Sequence, residues 1–134
     1  MKKEQPKLDI VFDFDGVICK LHIPYNHFKY GTPIKKTIRL IKRLHKDGHI
    51  LRLSTTRLCP TFRGEPDVEV ISGDVETSLR EHLKKLDILD CFAEITGYKP
   101  YGDVYIDDRA LWFNGNNHNS VKEIIKKIIR DKSH

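Results

Sequence analysis

The sequence lacks the features of a membrane or disulfide-stabilised protein. No apolar run approaches the roughly 20 residues that span a bilayer, and the basic N-terminal stretch MKKEQPKLDI has no signal-peptide apolar core. Its few cysteines, Cys19, Cys59 and Cys91, are far apart and form no CxxC pair. A disulfide framework and a paired-cysteine zinc site are therefore not indicated. We expect a cytoplasmic protein with reduced thiols and no membrane partner.

The composition is that of one soluble domain with a basic balance. The 134 residues fit a single domain, with a core at about 8–131, and leave little room for a second. The net charge of +5 favours anionic partners such as phosphate esters, nucleotides or nucleic acid. This signal is weak, because many of the basic residues fall at regular spacing on predicted helices, where a solvated helix face explains them.

Strand-like and helix-like segments alternate along the chain. The predicted strands are residues 8–12, 49–53, 91–95 and 104–106, and the predicted helices are 34–46, 74–85 and 120–132. Residues 16–33 look like an irregular flap, and residues 57–73 like a loop insertion. This alternation predicts an α/β fold, a Rossmann-like three-layer sandwich with a mostly parallel central sheet and no large cap domain.

Two details of the helices are also predicted. Asp74 is a candidate N-cap for the second helix. The last helix carries an apolar stripe, which we expect to cover one face of the sheet rather than a membrane or a partner helix. The stripe consists of Val121, Ile124, Ile125, Ile128 and Ile129.

Polar side chains follow three of the predicted strands. Asp13 and Asp15 follow the first strand, residues 54–57 the second, and Asp107 and Asp108 the fourth. Ligands of open α/β sheets bind beyond the carboxyl ends of the strands. We therefore expect these carboxylates, hydroxyls and one cation to meet at one edge of the sheet.

These residue types suit phosphoryl transfer assisted by magnesium. Asp13, Asp15 and Asp108 offer hard oxygen ligands for Mg²⁺, which would offset the repulsion between carboxylates and a phosphate ester. Asp13 can attack phosphorus and form an aspartyl-phosphate, while Asp15 can protonate the leaving alcohol and later deprotonate water. Thr55 and nearby backbone N–H groups can hold a phosphate oxygen, and the Lys99 ammonium can neutralise the transferring group.

Four segments in order, DFDGVI, LSTTR, YKP and VYIDDRA, resemble the four motifs of the haloacid-dehalogenase superfamily. They extend from about residue 8 to residue 110, and their ending is similar to that of small capless members. The second motif departs from the common Thr-Gly-Arg because Thr56 stands in place of glycine. The fourth has paired aspartates without a preceding glycine.

The resemblance implies a role for each matched position. Asp13 corresponds to the nucleophile, Asp15 to the acid/base, Thr55 to the second-motif hydroxyl and Lys99 to the third-motif lysine. In the family the nucleophile carboxylate, the backbone carbonyl of the second aspartate and a fourth-motif acid bind Mg²⁺. The implied phosphate-binding residues are Ser54, Thr55, Thr56, Arg57 and Lys99, and the implied metal ligands are Asp13, Asp15, Asp108 and, in support, Asp107.

Several questions stay open at this stage. Arg57 can bind the substrate phosphate or brace the loop by pairing with a carboxylate. His22 and His27 can line a substrate pocket or pack locally, and we expect Trp112 and Phe113 to pack under their loop. The turn Asn114-Gly115-Asn116-Asn117 has no predicted chemistry.

The function predicted is a magnesium-dependent phosphomonoester hydrolase, acting on a sugar phosphate, a nucleotide or the phosphorylated end of a polymer. One alternative is removal of a terminal phosphate from nucleic acid, although no nucleic-acid-binding motif is present. The other is a phosphoacceptor or phosphate-binding module without turnover. The flap or a second subunit, as in a homodimer, could close the site.

Overall fold

The structure is a computed structural model that describes residues 5–62 and 64–133. Its strands are β1 (Asp9–Phe12), β2 (Ile50–Ser54), β3 (Thr61–Phe62), β4 (Glu65–Pro66), β5 (Phe92–Thr96) and β6 (Val104–Ile106). Its helices are α1 (Lys35–Lys46), α2 (Val68–Ser72), α3 (Asp74–Lys85) and α4 (His118–Lys132), with short 3-10 turns at Thr56–Leu58 and Leu89–Cys91.

The central sheet has four parallel strands in the order β5-β2-β1-β6. Helices accompany the sheet, and no part of the described chain forms a large cap. This confirms the predicted α/β class with a parallel central sheet. β1 lies in the interior of the sheet and β6 at one edge, so the residues that follow these two strands are neighbours at its carboxyl edge.

The core lies on the face of the sheet that carries the alternate side chains of β1 and β2. Ile10 and Phe12 of β1 are in register with Leu51 and Leu53 of β2, and all four are buried. Because side chains alternate along a strand, these four share one face. Buried apolar residues of α1 and α3 complete this core: Ile41, Leu79 and Leu83.

Two predicted details differ in the structure. Residues 57–73 are not a plain loop, because they contain the β3–β4 hairpin and the short helix α2. Asp74 is not an N-cap, because Gly73 occupies that position with a φ of 85° and α3 begins directly after α2. The side-chain cap in this region is made by Asp67, which accepts hydrogen bonds from the N–H groups of Glu69 and Val70 at the start of α2.

The last helix does not cover the sheet as predicted. α4 has no buried residue, and its stripe isoleucines stay between 39% and 59% exposed. The apolar core of the sheet is completed by α1 and α3, and α4 lies outside it. None of the described helices combines the length and apolar character required to cross a membrane.

Candidate active site

Three carboxylates meet where β1 and β6 end. The N–H of Asp13 donates to the carbonyl of Ile106 at 2.9 Å, which continues the β1–β6 pairing one residue past the end of β1. One carboxylate oxygen each of Asp13, Asp107 and Asp108 lies within 4.8 Å of the other two. No lysine or arginine of the described residues forms an ion pair with them. This group of hard oxygen donors fits a Mg²⁺ ion.

The electrostatics of Asp13 agree with a place for a cation. The pKa of the Asp13 carboxyl is raised from 3.8 to about 6, chiefly by burial and in addition by the neighbouring charges of Asp107, Asp108 and Asp15, while a hydrogen bond from the Phe14 N–H opposes the rise. That N–H donates to Asp13 Oδ1 at 2.7 Å. The site therefore carries more negative charge than the neighbouring hydrogen-bond donors and positive groups compensate.

Gly16 lets the two acidic segments approach each other. Its φ is 84°, and a Cβ atom at this position would lie 2.1 Å from Asp108 Oδ2. Any other residue would therefore meet both backbone strain and a clash with the Asp108 carboxylate. The glycine of the Asp-Phe-Asp-Gly segment is explained by this contact.

The hydroxyl residues at the carboxyl end of β2 have different surroundings. Thr55 is buried, and its Oγ1 accepts from the N–H of Arg57 at 3.2 Å, which leaves its O–H proton for another acceptor. Ser54 Oγ donates to the carbonyl of Tyr98 at 2.8 Å, so in this arrangement its proton is used to fix the loop after β5. Thr56 is exposed. Of the three, Thr55 is the best placed to donate to a phosphate oxygen.

Lys99 lies in the loop between β5 and β6 and contacts an aromatic ring. Its Nζ is 4.8 Å from the centroid of Tyr105, and the Tyr105 hydroxyl donates to the carbonyl of Pro100 at 2.7 Å. Tyr105 therefore contacts both Lys99 and the residue that follows it. The sequence pattern did not single out Tyr105, although its position in β6 just before the paired aspartates was a usable signal.

Arg57 is buried and takes the second of its two predicted roles. Its Nε and Nη2 donate to the two carboxylate oxygens of Asp15, each at 2.8 Å. Its other N–H groups donate to the carbonyls of Asn26, His27 and Lys29 in the flap, at 2.8–3.1 Å. With all five N–H donors used and no exposed surface, Arg57 cannot contact a substrate phosphate, and the prediction that it does so is wrong.

Aromatic rings surround the Arg57 guanidinium. The guanidinium carbon lies 5.4, 5.1 and 4.7 Å from the ring centroids of Phe14, Tyr25 and Tyr30. These distances are typical of cation–π contacts, which become stronger when water is excluded. Arg57 thus joins the flap, the segment after β1 and the turn after β2 into one cluster.

A second contact joins the flap to the 57–73 segment. His27 Nε2 lies 2.9 Å from Asp67 Oδ2, the residue whose other oxygen caps α2. Donor atoms of His27, Asp67 and Glu69 also lie within 4.8 Å of one another. We assign this group a structural role, because Asp67 is already engaged by the helix and by His27. Of the two roles weighed for His27, this contact is the local packing one.

Eight of the nine predicted site residues line one open cleft of about 1160 Å³. They are Asp13, Asp15, Ser54, Thr55, Thr56, Lys99, Asp107 and Asp108, and the exception is the buried Arg57. The Asp15 side chain lies with Arg57 and not in the group of three carboxylates. The cleft is also lined by residues that were not predicted to belong to the site, among them Arg109, Trp112 and Phe113.

Comparisons with known proteins add little. No protein-family model matches the chain, and no curated protein matches it. A solved structure described as that of a conserved protein from Bacteroides thetaiotaomicron is similar, with 20% identity over 91% of this chain and 92% of that chain and a TM-score of 0.48. A likeness of this size carries no inference about activity.

Proposed function

We propose that the chain is a magnesium-dependent phosphomonoesterase that transfers a phosphoryl group to Asp13 and then to water. The observation that supports this most is the cleft itself, in which acids following β1 and β6 face the hydroxyls following β2 and the loop of Lys99. The order of DFDGVI, LSTTR, YKP and VYIDDRA along the chain supports the same assignment through its resemblance to haloacid-dehalogenase phosphatases.

The proposed roles follow from the position of each side chain. Asp13, Asp107 and Asp108 would hold Mg²⁺, which when bound offsets the repulsion between these carboxylates and the phosphate. Asp13 Oδ attacks phosphorus, the P–O bond to the alcohol breaks, and an aspartyl-phosphate forms. The O–H of Thr55 donates to a phosphoryl oxygen, and the Lys99 ammonium moves from Tyr105 toward the charge that develops there.

Asp15 is the proposed acid and base. In the structure both of its oxygens accept hydrogen bonds from Arg57. To act as the acid, one Asp15 oxygen must release Arg57, turn into the cleft with a proton taken up from solvent, and pass that proton to the leaving alcohol as the P–O bond breaks. The Asp15 carboxylate that this step leaves then takes a proton from the attacking water in the second step, which restores the proton given to the alcohol.

The deciding experiment measures phosphate release from a generic aryl phosphate by wild type, Asp13→Asn and the control Asp131→Asn, with and without magnesium. We expect magnesium-dependent release by wild type and the control and a loss of at least about 1000-fold in Asp13→Asn, because the nucleophile itself is removed. Release that persists in Asp13→Asn would exclude Asp13 as the nucleophile.

One observation favours a second candidate, a phosphoacceptor module without turnover. The engagement of Asp15 by Arg57 would slow hydrolysis of a phosphorylated Asp13 if that pair never opened. Incubation with a small acyl phosphate distinguishes the two. A covalent phosphate on Asp13 that persists for hours supports the module, whereas rapid turnover supports the hydrolase.

The compartment and partners are part of the same proposal. The three cysteines are free thiols in the structure, which suits a reducing compartment such as the cytoplasm. The open cleft suits a small phosphorylated substrate or the phosphorylated end of a polymer. A homodimer remains one way to close it.

A further inference from the structure

The cleft has a second wall that the proposed phosphoryl chemistry does not use. The acids and hydroxyls with proposed roles lie at the carboxyl ends of β1, β2 and β6, where the phosphoryl group would sit. Most of the remaining lining is apolar or aromatic and includes Leu21, Tyr98, Leu111, Trp112 and Phe113, with Asp103 and Arg109 as its charged members. A group attached to the phosphate oxygen would lie against this wall.

Trp112 is more exposed to solvent than we expect for so large an apolar side chain. The sequence led us to expect Trp112 and Phe113 under their loop, but their exposed fractions are 77% and 54%. Trp112 follows the metal-binding acid Asp108 by four residues and lines the same cleft. A large ring left in solvent beside a phosphate site is available to bind a ligand.

The backbone that carries this ring is held by the asparagine turn. Asn117 Nδ2 donates to the carbonyl of Trp112 at 2.7 Å, and Asn117 Oδ1 accepts from the N–H of Asn114 at 2.9 Å. Asn114 Oδ1 in turn accepts from the N–H groups of Asn116 and Asn117. The turn therefore fixes the main chain around an exposed side chain, which lowers the entropy lost when a ligand stacks on it.

The chemistry of the wall favours a flat ring over a sugar. A sugar ring requires polar partners for its hydroxyls, whereas this wall is mostly aromatic rings and leucine, and its one acid, Asp103, already accepts from the Asp9 N–H and the Tyr101 hydroxyl. A nucleobase can stack on an aromatic side chain, because every base has a π-face of its own. The guanidinium of Arg109, which lines the cleft and forms no ion pair with the described residues, is available for a further phosphate.

We infer that Trp112 is the base-stacking residue of this site and that the substrate is a phosphomonoester whose alcohol carries a nucleobase. This inference rests on the proposed function, because it takes the phosphoryl group to lie at Asp13. A free nucleoside monophosphate and the phosphorylated end of an oligonucleotide share this chemistry, and the experiment separates them.

Trp112 is the single tryptophan of the chain, so its fluorescence reports on the wall directly. The hydrolysis-impaired variant Asp13→Asn, with magnesium, is titrated with adenosine monophosphate, ribose 5-phosphate, inorganic phosphate and a 5′-phosphorylated oligonucleotide. Saturable quenching by the base-bearing ligands and not by the other two is the expected result. Stronger quenching by the oligonucleotide than by the mononucleotide identifies a polymer end as the substrate, and the reverse order a free nucleotide.

The matched enzymatic test compares wild type with Trp112→Phe and Trp112→Leu, whose folding is checked by circular dichroism. We expect wild type to prefer adenosine monophosphate over ribose 5-phosphate by roughly tenfold or more in kcat/KM, the phenylalanine variant to keep part of this preference, and the leucine variant to lose it. Equal preference in all three overturns the stacking role, even if hydrolysis is robust. Conversely, selective quenching with no hydrolysis of any ester leaves the stacking site standing and removes the phosphatase.

A third outcome also counts against the proposal. If Trp112 emission shifts with protein concentration in the absence of ligand, and sedimentation shows a dimer over the same range, the ring is covered by a second copy. The stacking role would then be overturned in favour of an interface.

Discussion

At the scale of single residues, the acidic group makes the stability of the fold depend on pH. Asp13 has a pKa of about 6 in the folded chain against 3.8 as the reference for the unfolded chain. The folded state therefore keeps this proton longer than the unfolded state does. The stability linked to it is fully present below pH 3.8 and is lost as the pH rises through about 6.

Asp13→Asn should consequently raise the melting temperature at pH 7.5 and leave it nearly unchanged at pH 4, because asparagine imitates the neutral carboxyl. Magnesium should raise the melting temperature of wild type more than that of the variant, since the ion binds the charged form. Thermal unfolding at both pH values, with and without magnesium, checks this. A variant that is less stable than wild type at pH 7.5 would contradict the placement of Asp13 among like charges.

Breaking the Arg57–Asp15 ion pair should have a large effect on the free energy of unfolding. Arg57→Met removes a buried cation and leaves the Asp15 carboxylate and three flap carbonyls without these donors. We expect a loss of about 3–5 kcal/mol in the free energy of unfolding, as for other broken buried pairs. Chemical denaturation measures it.

The exposed pair of Arg80 and Glu76 on α3 offers a matched control. Arg80→Met should cost less than about 1 kcal/mol, because solvent screens the interaction. If the two variants lose similar stability, the five hydrogen bonds of Arg57 do not carry the role argued for them.

At the scale of elements, the turn after β1 tests how the two acidic segments are brought together. Gly16→Ala introduces a Cβ atom 2.1 Å from Asp108 Oδ2, in addition to strain from the positive φ. Gly73→Ala introduces the same kind of strain, since its φ is 85°, but nothing lies within 4 Å of its Cβ position. The pair therefore separates crowding from backbone strain.

Both glycine variants should lose about 1–2 kcal/mol of stability through the backbone. Only Gly16→Ala should also weaken magnesium binding, by an expected tenfold or more, because Asp108 must move. Calorimetric titration with magnesium measures this. Equal magnesium affinity in the two variants would mean that the Asp108 carboxylate is not a ligand.

The elements also show what a sequence can predict. β6 and α3 have the predicted bounds, and the other long elements begin and end within one or two residues of them, because hydrophobic periodicity is a local signal. The β3–β4 hairpin and α2 are too short to show a hydrophobic periodicity, so the sequence pattern did not predict them. The site residues were found because they directly follow strands. The hydrogen-bond partners of Arg57 were not predicted. Asn26, His27 and Lys29 are 28–31 residues away from it along the chain, and they contribute backbone carbonyls, which no side-chain pattern records.

At the scale of the whole molecule, stability should be uneven. The buried residues of α1 and α3 belong to the core, whereas no residue of α4 is buried. An isolated helix of α4's length, 15 residues, is marginal in water, so α4 depends on tertiary contacts that the structure provides only sparsely. Because the apolar stripe of α4 does not cover the sheet as predicted, we expect α4 to be less stable than α1 and α3.

Amide hydrogen exchange should therefore be fastest in α4 among the long helices, with protection well below that of α3, because α4 can open without exposing the core. Exchange followed by mass spectrometry at two protein concentrations provides the measurement. Uniformly low protection of α4 at both concentrations agrees with a helix that opens locally. Protection that equals that of α3 contradicts it. If that protection falls on dilution, a second copy covers the apolar stripe, and the homodimer rather than the single chain is the stable unit.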